Sequence, residues 1–112
     1  MPLKIEDTRT LDSPFSLAGL VEEAPDSIVS RAVMKSPAGN VTLFSFAVGE
    51  ELSAHTAPYD AFVYVLKGRA GIVIGDKKHA VSEGEGIVMP ANVRHAVYAE
   101  EAFKMLLVMI KG

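Results

Sequence analysis

From residue 28 onward the chain is a series of short apolar runs cut by glycine and proline turns, and none is long enough for a substantial helix. The runs cover residues 28–34, 41–48, 62–66, 70–74, 78–81, 87–89, 95–99 and 103–110. Eight short strands spaced roughly eight to twelve residues apart predict an all-β sandwich or barrel. The breaks carry turn chemistry: Ser36-Pro37-Ala38-Gly39-Asn40 is one, and Gly75-Asp76 is a two-residue hairpin signal in which glycine supplies the positive φ. Residues 1–27 predict an arm and a loop. Ser13-Pro14 reads as an N-cap and first helical residue, giving one short helix over residues 15–21. A chain of 112 residues then has one core, with a single domain over residues 28–112.

Side-chain parity says where that core lies. Phe103, Met105, Leu107 and Met109 fall on one face of the last strand, with Lys104 on the other. Residues 62–66 and 106–110 are apolar on both faces, more than a one-layer barrel can bury, so a covering layer or a subunit contact is implied and a homodimer is expected. A net charge of −3 supplies no basic patch for nucleic acid. No apolar run approaches membrane-span length and no signal peptide is visible, so a cytoplasmic protein with no membrane partner is expected. The absence of cysteine removes disulfides, thiolate metal sites and a cysteine nucleophile.

Two of the three histidines, His55 and His95, occupy matching places in two punctuated segments. One runs from Gly49 through His55 and Pro58 to Gly68, the other from Gly84 through Pro90 to His95. Strands that present two imidazoles to one interior make a candidate metal or substrate site. No other catalytic signature accompanies them: there is no Gly-x-Ser-x-Gly, phosphate-binding glycine loop or HExxH.

These segments resemble the two cupin motifs. Gly49, His55 and Gly68 fall in register with the first, and Gly84, Pro90 and His95 with the second; the resemblance covers about residues 28–110. It implies a double-stranded β-helix, the jelly-roll barrel of RmlC-like cupins. Metal-dependent members usually hold their ion through two histidines and a glutamate of the first motif and the histidine of the second. Here Ala57 stands at the second histidine position and Ala61 at the glutamate position. Asn92 replaces the glycine of the second motif, a mild change because Asn tolerates left-handed φ, and Ala99 replaces its terminal asparagine.

Catalytic zinc, iron or manganese normally takes three or more protein ligands. His55 and His95 supply two, and Asp60 is the candidate third, although strand parity turns it outward unless Pro58 introduces a bulge. With Asp60 the set resembles a two-histidine, one-carboxylate triad, which implies a metal-dependent (iron, manganese, nickel or zinc) oxygenase or isomerase. Without metal, the imidazoles remain candidate acid–base catalysts. The bland alternative is a pair of core histidines hydrogen-bonded to each other, to Tyr59 or Tyr64, or to water.

Ala57 and Ala61 leave volume beside the histidines. The reading preferred from sequence is therefore a pocket for an unidentified small molecule, lined by His55, Ala57, Tyr59, Ala61, Met89, His95, Met105, Leu107 and Met109. The simpler reading of the methionines is core packing, since Met fills irregular gaps. A small aromatic or carbonyl compound suits such walls better than a phosphorylated one. An interaction module remains a third reading. His79, after a hairpin turn, reads as exposed; Arg31 as an anion partner in the barrel or a rim residue; and Glu83, Glu85, Glu100 and Glu101 as solvated loop charges.

Overall fold

The computed structural model describes residues 4–5, as backbone, and 12–111. Its elements are β1 (Lys4–Ile5), a 3-10 turn (Ala18–Leu20), β2 (Ile28–Ser36), β3 (Gly39–Phe46), β4 (Glu51–His55), β5 (Asp60–Lys67), β6 (Arg69–Ile74), β7 (Lys77–Ser82), β8 (Gly86–Met89), β9 (His95–Tyr98) and β10 (Phe103–Ile110). They form a six-stranded sheet in the order β1-β2-β3-β10-β5-β8 and a four-stranded sheet in the order β4-β9-β6-β7. Every strand pair is antiparallel. From β3 to β10 the chain changes sheet at every step except the β6–β7 hairpin, as in the jelly roll that the two motifs imply.

Period-two patterning explains the inner faces. In β5, Ala61, Val63 and Val65 are buried while Asp60, Phe62 and Lys67 are exposed. β10 lies between β3 and β5 and directs Phe103, Met105, Leu107 and Met109 inward in sequence. One end of the interior is filled solidly, with Phe46 and Phe103 stacked at 4.6 Å between ring centroids. Ile72 and Val65 are fully buried in the same cluster. At the other end the sheet offers Met109, Ala61 and Met89 in one row, and the small Ala61 leaves space.

The outer face of the six-stranded sheet divides in two. Over one half lies the segment around the 3-10 turn: Lys104 Nζ donates to Ala18 O at 2.8 Å, Arg31 donates to Leu20 O, and Lys67 pairs with Glu23 at 3.1 Å. Leu43, on that face, is completely buried. The other half carries the row Met34, Val41, Val108, Phe62 and Val88, set side by side by the strand register. Phe62 and Val88 are 41% and 55% exposed. Part of the covering layer expected for the two-sided apolar strands is therefore the chain's own N-terminal segment.

Three local readings are corrected. The short helix over residues 15–21 is only the 3-10 turn Ala18–Leu20, and Ser13 does not cap it; the Ser16 hydroxyl accepts from the Gly19 N–H at 3.1 Å. Seven residues containing a glycine cannot offset the cost of helix nucleation. The His55 segment, which lies outside the eight apolar runs, is strand β4. Within the expected arm, residues 4–5 pair with β2, whereas residues 1–3 and 6–11 lie outside the described residues.

Candidate functional site

β4 meets β9 with Leu52 opposite Val97 and His55 opposite His95. Three steps along β4 thus match two along β9, so one extra residue is accommodated as a bulge. An unbroken strand would turn Leu52 and His55 to opposite faces. The bulge lets both face the interior, which also explains why no period-two signal marks this strand. On its other side His95 is paired with Ile74 of β6.

The two rings lie 4.5 Å apart between centroids, crossed at 68°. They bond neither to each other nor to a tyrosine. His55 Nδ1 lies 2.9 Å from Ser53 O, and His95 Nδ1 lies 3.1 Å from Val93 O. His95 is buried at 6% exposure, whereas His55 is exposed at the rim.

The rings stand over a cavity of about 70 Å³ lined by Phe44, Leu52, His55, Ala57, Tyr59, Ala61, Met89, His95, Val97, Met105, Leu107 and Met109. All nine residues expected from the sequence to line a pocket lie around it. Phe44, Leu52 and Val97 were not anticipated. Phe44 shares its face with Phe46, and Val97 lies two residues from His95, so strand parity could have found both; Leu52 needed the bulge. The three polar lining residues are His55, His95 and Tyr59. Lys111 Nζ sits over the Tyr59 ring, 5.2 Å from its centroid.

Asp60 is engaged elsewhere. It is exposed, does not line the cavity, and its Oδ1 accepts from the Ala91 N–H at 2.8 Å. With the bond from Asn92 N–H to Ala57 O at 2.8 Å, it ties the β4–β5 loop to the β8–β9 loop. Asn92 has φ +63°, the left-handed conformation its place in the motif demands. Among the described residues no group of three or more His, Cys, Asp or Glu could hold a metal ion. With alanine at positions 57 and 61 and Asp60 turned to a backbone amide, two imidazoles are too few for a catalytic metal of the usual kind. Asp60 faces outward, as strand parity has it, and the alternative triad of His55, His95 and Asp60 is not assembled among the described residues.

The remaining candidates lie apart from this site. His79 is half-buried opposite Ile72 of β6 rather than exposed, because its parity in β7 turns it inward. Arg31 lies against the N-terminal segment on the outer face. Glu85 accepts from the Ser82 N–H, and Glu101 lies 3.7 Å from Arg69. The Lys67 hydrogen bond and charge hold the Glu23 carboxyl below its ordinary value near 4.5.

Comparison with known proteins agrees with the fold. The family described as Cupin domain matches residues 42–111. A crystal structure of a conserved protein of unknown function from Streptococcus pyogenes is 38% identical, covers 97% of this chain and 92% of its own, and superposes with a TM-score of 0.87. A cupin 2 conserved barrel domain protein from Leptotrichia buccalis is 45% identical over 87% of this chain, which spans 47% of that protein, with a TM-score of 0.85. Among curated proteins, SchB of Streptomyces halstedii is 40% identical over 48 residues, which make up 42% of this chain and 35% of SchB.

Proposed function

This chain belongs to the cupin family, and on that premise we propose that its barrel interior binds a small molecule between His55 and His95. The observation that carries the reading is the polarity of the cavity. Nine of its twelve lining residues are apolar, and the three polar ones include the two facing imidazoles. A few placed polar groups among apolar walls is the usual composition of a small-molecule site. Binding, rather than metal-dependent turnover, is the activity proposed, because the donor set around the histidines is too small for a catalytic ion. An aromatic or carbonyl compound fits these walls better than a phosphate ester, for which no cationic side chain lines the cavity.

The protein is also proposed to act as a homodimer in the cytoplasm. The open apolar row ending in Phe62 and Val88 supports the self-association. Phe62 lies over Gly86, where any side chain would collide with its ring.

Metal analysis of protein purified without chelators, followed by ligand screening of wild type and the His55→Ala/His95→Ala double variant, tests the pocket. The expected result is no stoichiometric metal, with ligand responses that the double variant loses while staying folded. Stoichiometric iron, manganese, nickel or zinc that disappears in the double variant would overturn the metal-free reading. Unfolding of the double variant with no ligand response in the wild type would make the histidines structural.

A further inference from the structure

Both imidazoles at the cavity use Nδ1 in the same way. His55 Nδ1 faces Ser53 O and His95 Nδ1 faces Val93 O, at 2.9 and 3.1 Å. A carbonyl oxygen only accepts, so each Nδ1 carries the ring hydrogen, and in the neutral ring Nε2 is left as a bare lone pair. Among the described residues no protein donor meets either Nε2. Among the described residues no buried side-chain nitrogen or oxygen lacks a partner, so the His95 Nε2 lone pair opens onto reachable space rather than apolar wall, and His55 is itself exposed at the rim.

The cavity therefore presents two acceptors side by side, and Tyr59 is the one other polar lining residue. From this we propose, resting on the interior being a binding pocket, that the ligand is a neutral hydroxyl compound. A phenol, an enol or an alcohol would enter O–H first and donate to an imidazole Nε2. A carboxylate placed there would face two lone pairs and lose its hydration without compensation. An ether or a plain ketone offers acceptors only, and leaves both imidazoles unsatisfied. Within the aromatic and carbonyl compounds that suit the walls, the tautomers thus select the phenolic and enolic members.

Size and access agree with entry by the hydroxyl end. The cavity holds about 70 Å³, roughly half the ~150 Å³ that admits benzene. A ring-bearing ligand would insert its hydroxyl edge against buried His95 and extend outward past exposed His55. Met89, Met105 and Met109 line the cavity, and the unbranched methionine side chain repacks readily around an entering group.

The test uses the whole chain with 13C-labelled methionine methyls and three probes that share a phenyl ring: phenol, anisole and benzoate. Phenol is expected to shift the Met89, Met105 and Met109 methyls and to bind about tenfold tighter than anisole or benzoate, the ratio one ordinary hydrogen bond supplies. Tyr59→Phe is expected to keep that ratio. If anisole or benzoate shifts these methyls with an affinity equal to that of phenol, the donor inference fails and the pocket stands. If none of the three shifts them, the pocket itself fails and the inference with it. Loss of the preference in Tyr59→Phe would assign the polarity to the tyrosine instead. Long-range 1H–15N spectra of the unliganded protein read the premise directly, and either ring found with its hydrogen on Nε2 overturns it.

Discussion

Replacing Met105 with alanine probes packing and binding together. Met105 is 1% exposed, belongs to the central core and also lines the cavity. On β10 it lies between Phe44 and Val65, neither of which can swing far in a sheet interior. The substitution removes three groups, each roughly the size of a water molecule at about 30 Å³. The void then grows by about 90 Å³, and merged with the existing space of about 70 Å³ it slightly exceeds the ~150 Å³ that takes a benzene ring. Lost transfer free energy contributes about 2 kcal/mol, and the cavity term at ~24 cal/mol per Å³ adds about 2 more. A loss of about 4 kcal/mol is a large fraction of the ~5–15 kcal/mol that holds a domain together. Urea denaturation should read this loss directly. Phenol at a hundred times its dissociation constant should restore about 2.7 kcal/mol by mass action. A loss below ~1 kcal/mol would mean the interior collapses around the deletion. A full loss with no rescue by phenol would mean the enlarged space is not reachable from the histidine end. Either result refutes the reasoning.

Deleting Ala54 removes the extra residue of the β4 bulge while keeping His55 opposite His95, but it shortens the two-residue reach to Ser53 O. Long-range 1H–15N spectra should then show mixed tautomers for His55 and a single one for His95, and an unchanged His55 would separate the tautomer from the bulge. Glu23→Gln should flatten the acid side of the stability profile. Lys67 lowers the folded-state pKa of Glu23, so the pair stabilises above pH ~4.5 and the contribution fades as pH falls through the folded value. Urea midpoints at about pH 7 and about pH 3 should therefore lie closer together in the variant, and an unchanged gap would dismiss the pair as a fastening of the N-terminal segment. Phe62→Arg with Val88→Lys should shift sedimentation from dimer to monomer without loss of fold, whereas a wild type that sediments as a monomer would remove the self-association.

Sequence patterning makes most of the barrel visible because the eight apolar runs pack against a single core, although β2 and β5 each carry one extra residue against a partner strand. The same parity places Met105, Leu107 and Met109 on one face from the sequence alone, and that face lines the cavity. It failed where the period itself is broken. β4 has an extra residue between Leu52 and His55, so the inward positions are separated by an odd number and look like loop. His79 reads as exposed for the opposite reason: hairpin-turn composition masks a regular strand whose parity turns it inward. The role of Asp60 rests on a hydrogen bond to an amide 31 residues away, a contact that no local spacing encodes. The imidazole tautomers were equally hidden, since they depend on where Ser53 and Val93 point their carbonyls.

Those two carbonyls explain how a barrel with so few candidate ligands can still present a defined site. A first-row metal ion commonly orients its histidines from the front, with outer hydrogen bonds in support. Here the orienting partner of each ring is the main chain two residues before it, at Ser53 and at Val93, so ring direction is a local property of the two strand segments. The bulge in β4 and the turn preceding β9 set that direction independently of anything in the cavity. Alanine at positions 57 and 61 then removes competing donors and leaves space in front of nitrogens that are already aimed. A site of the kind proposed would need no ion to hold its shape, and its selectivity would follow from which ring nitrogen the backbone engages.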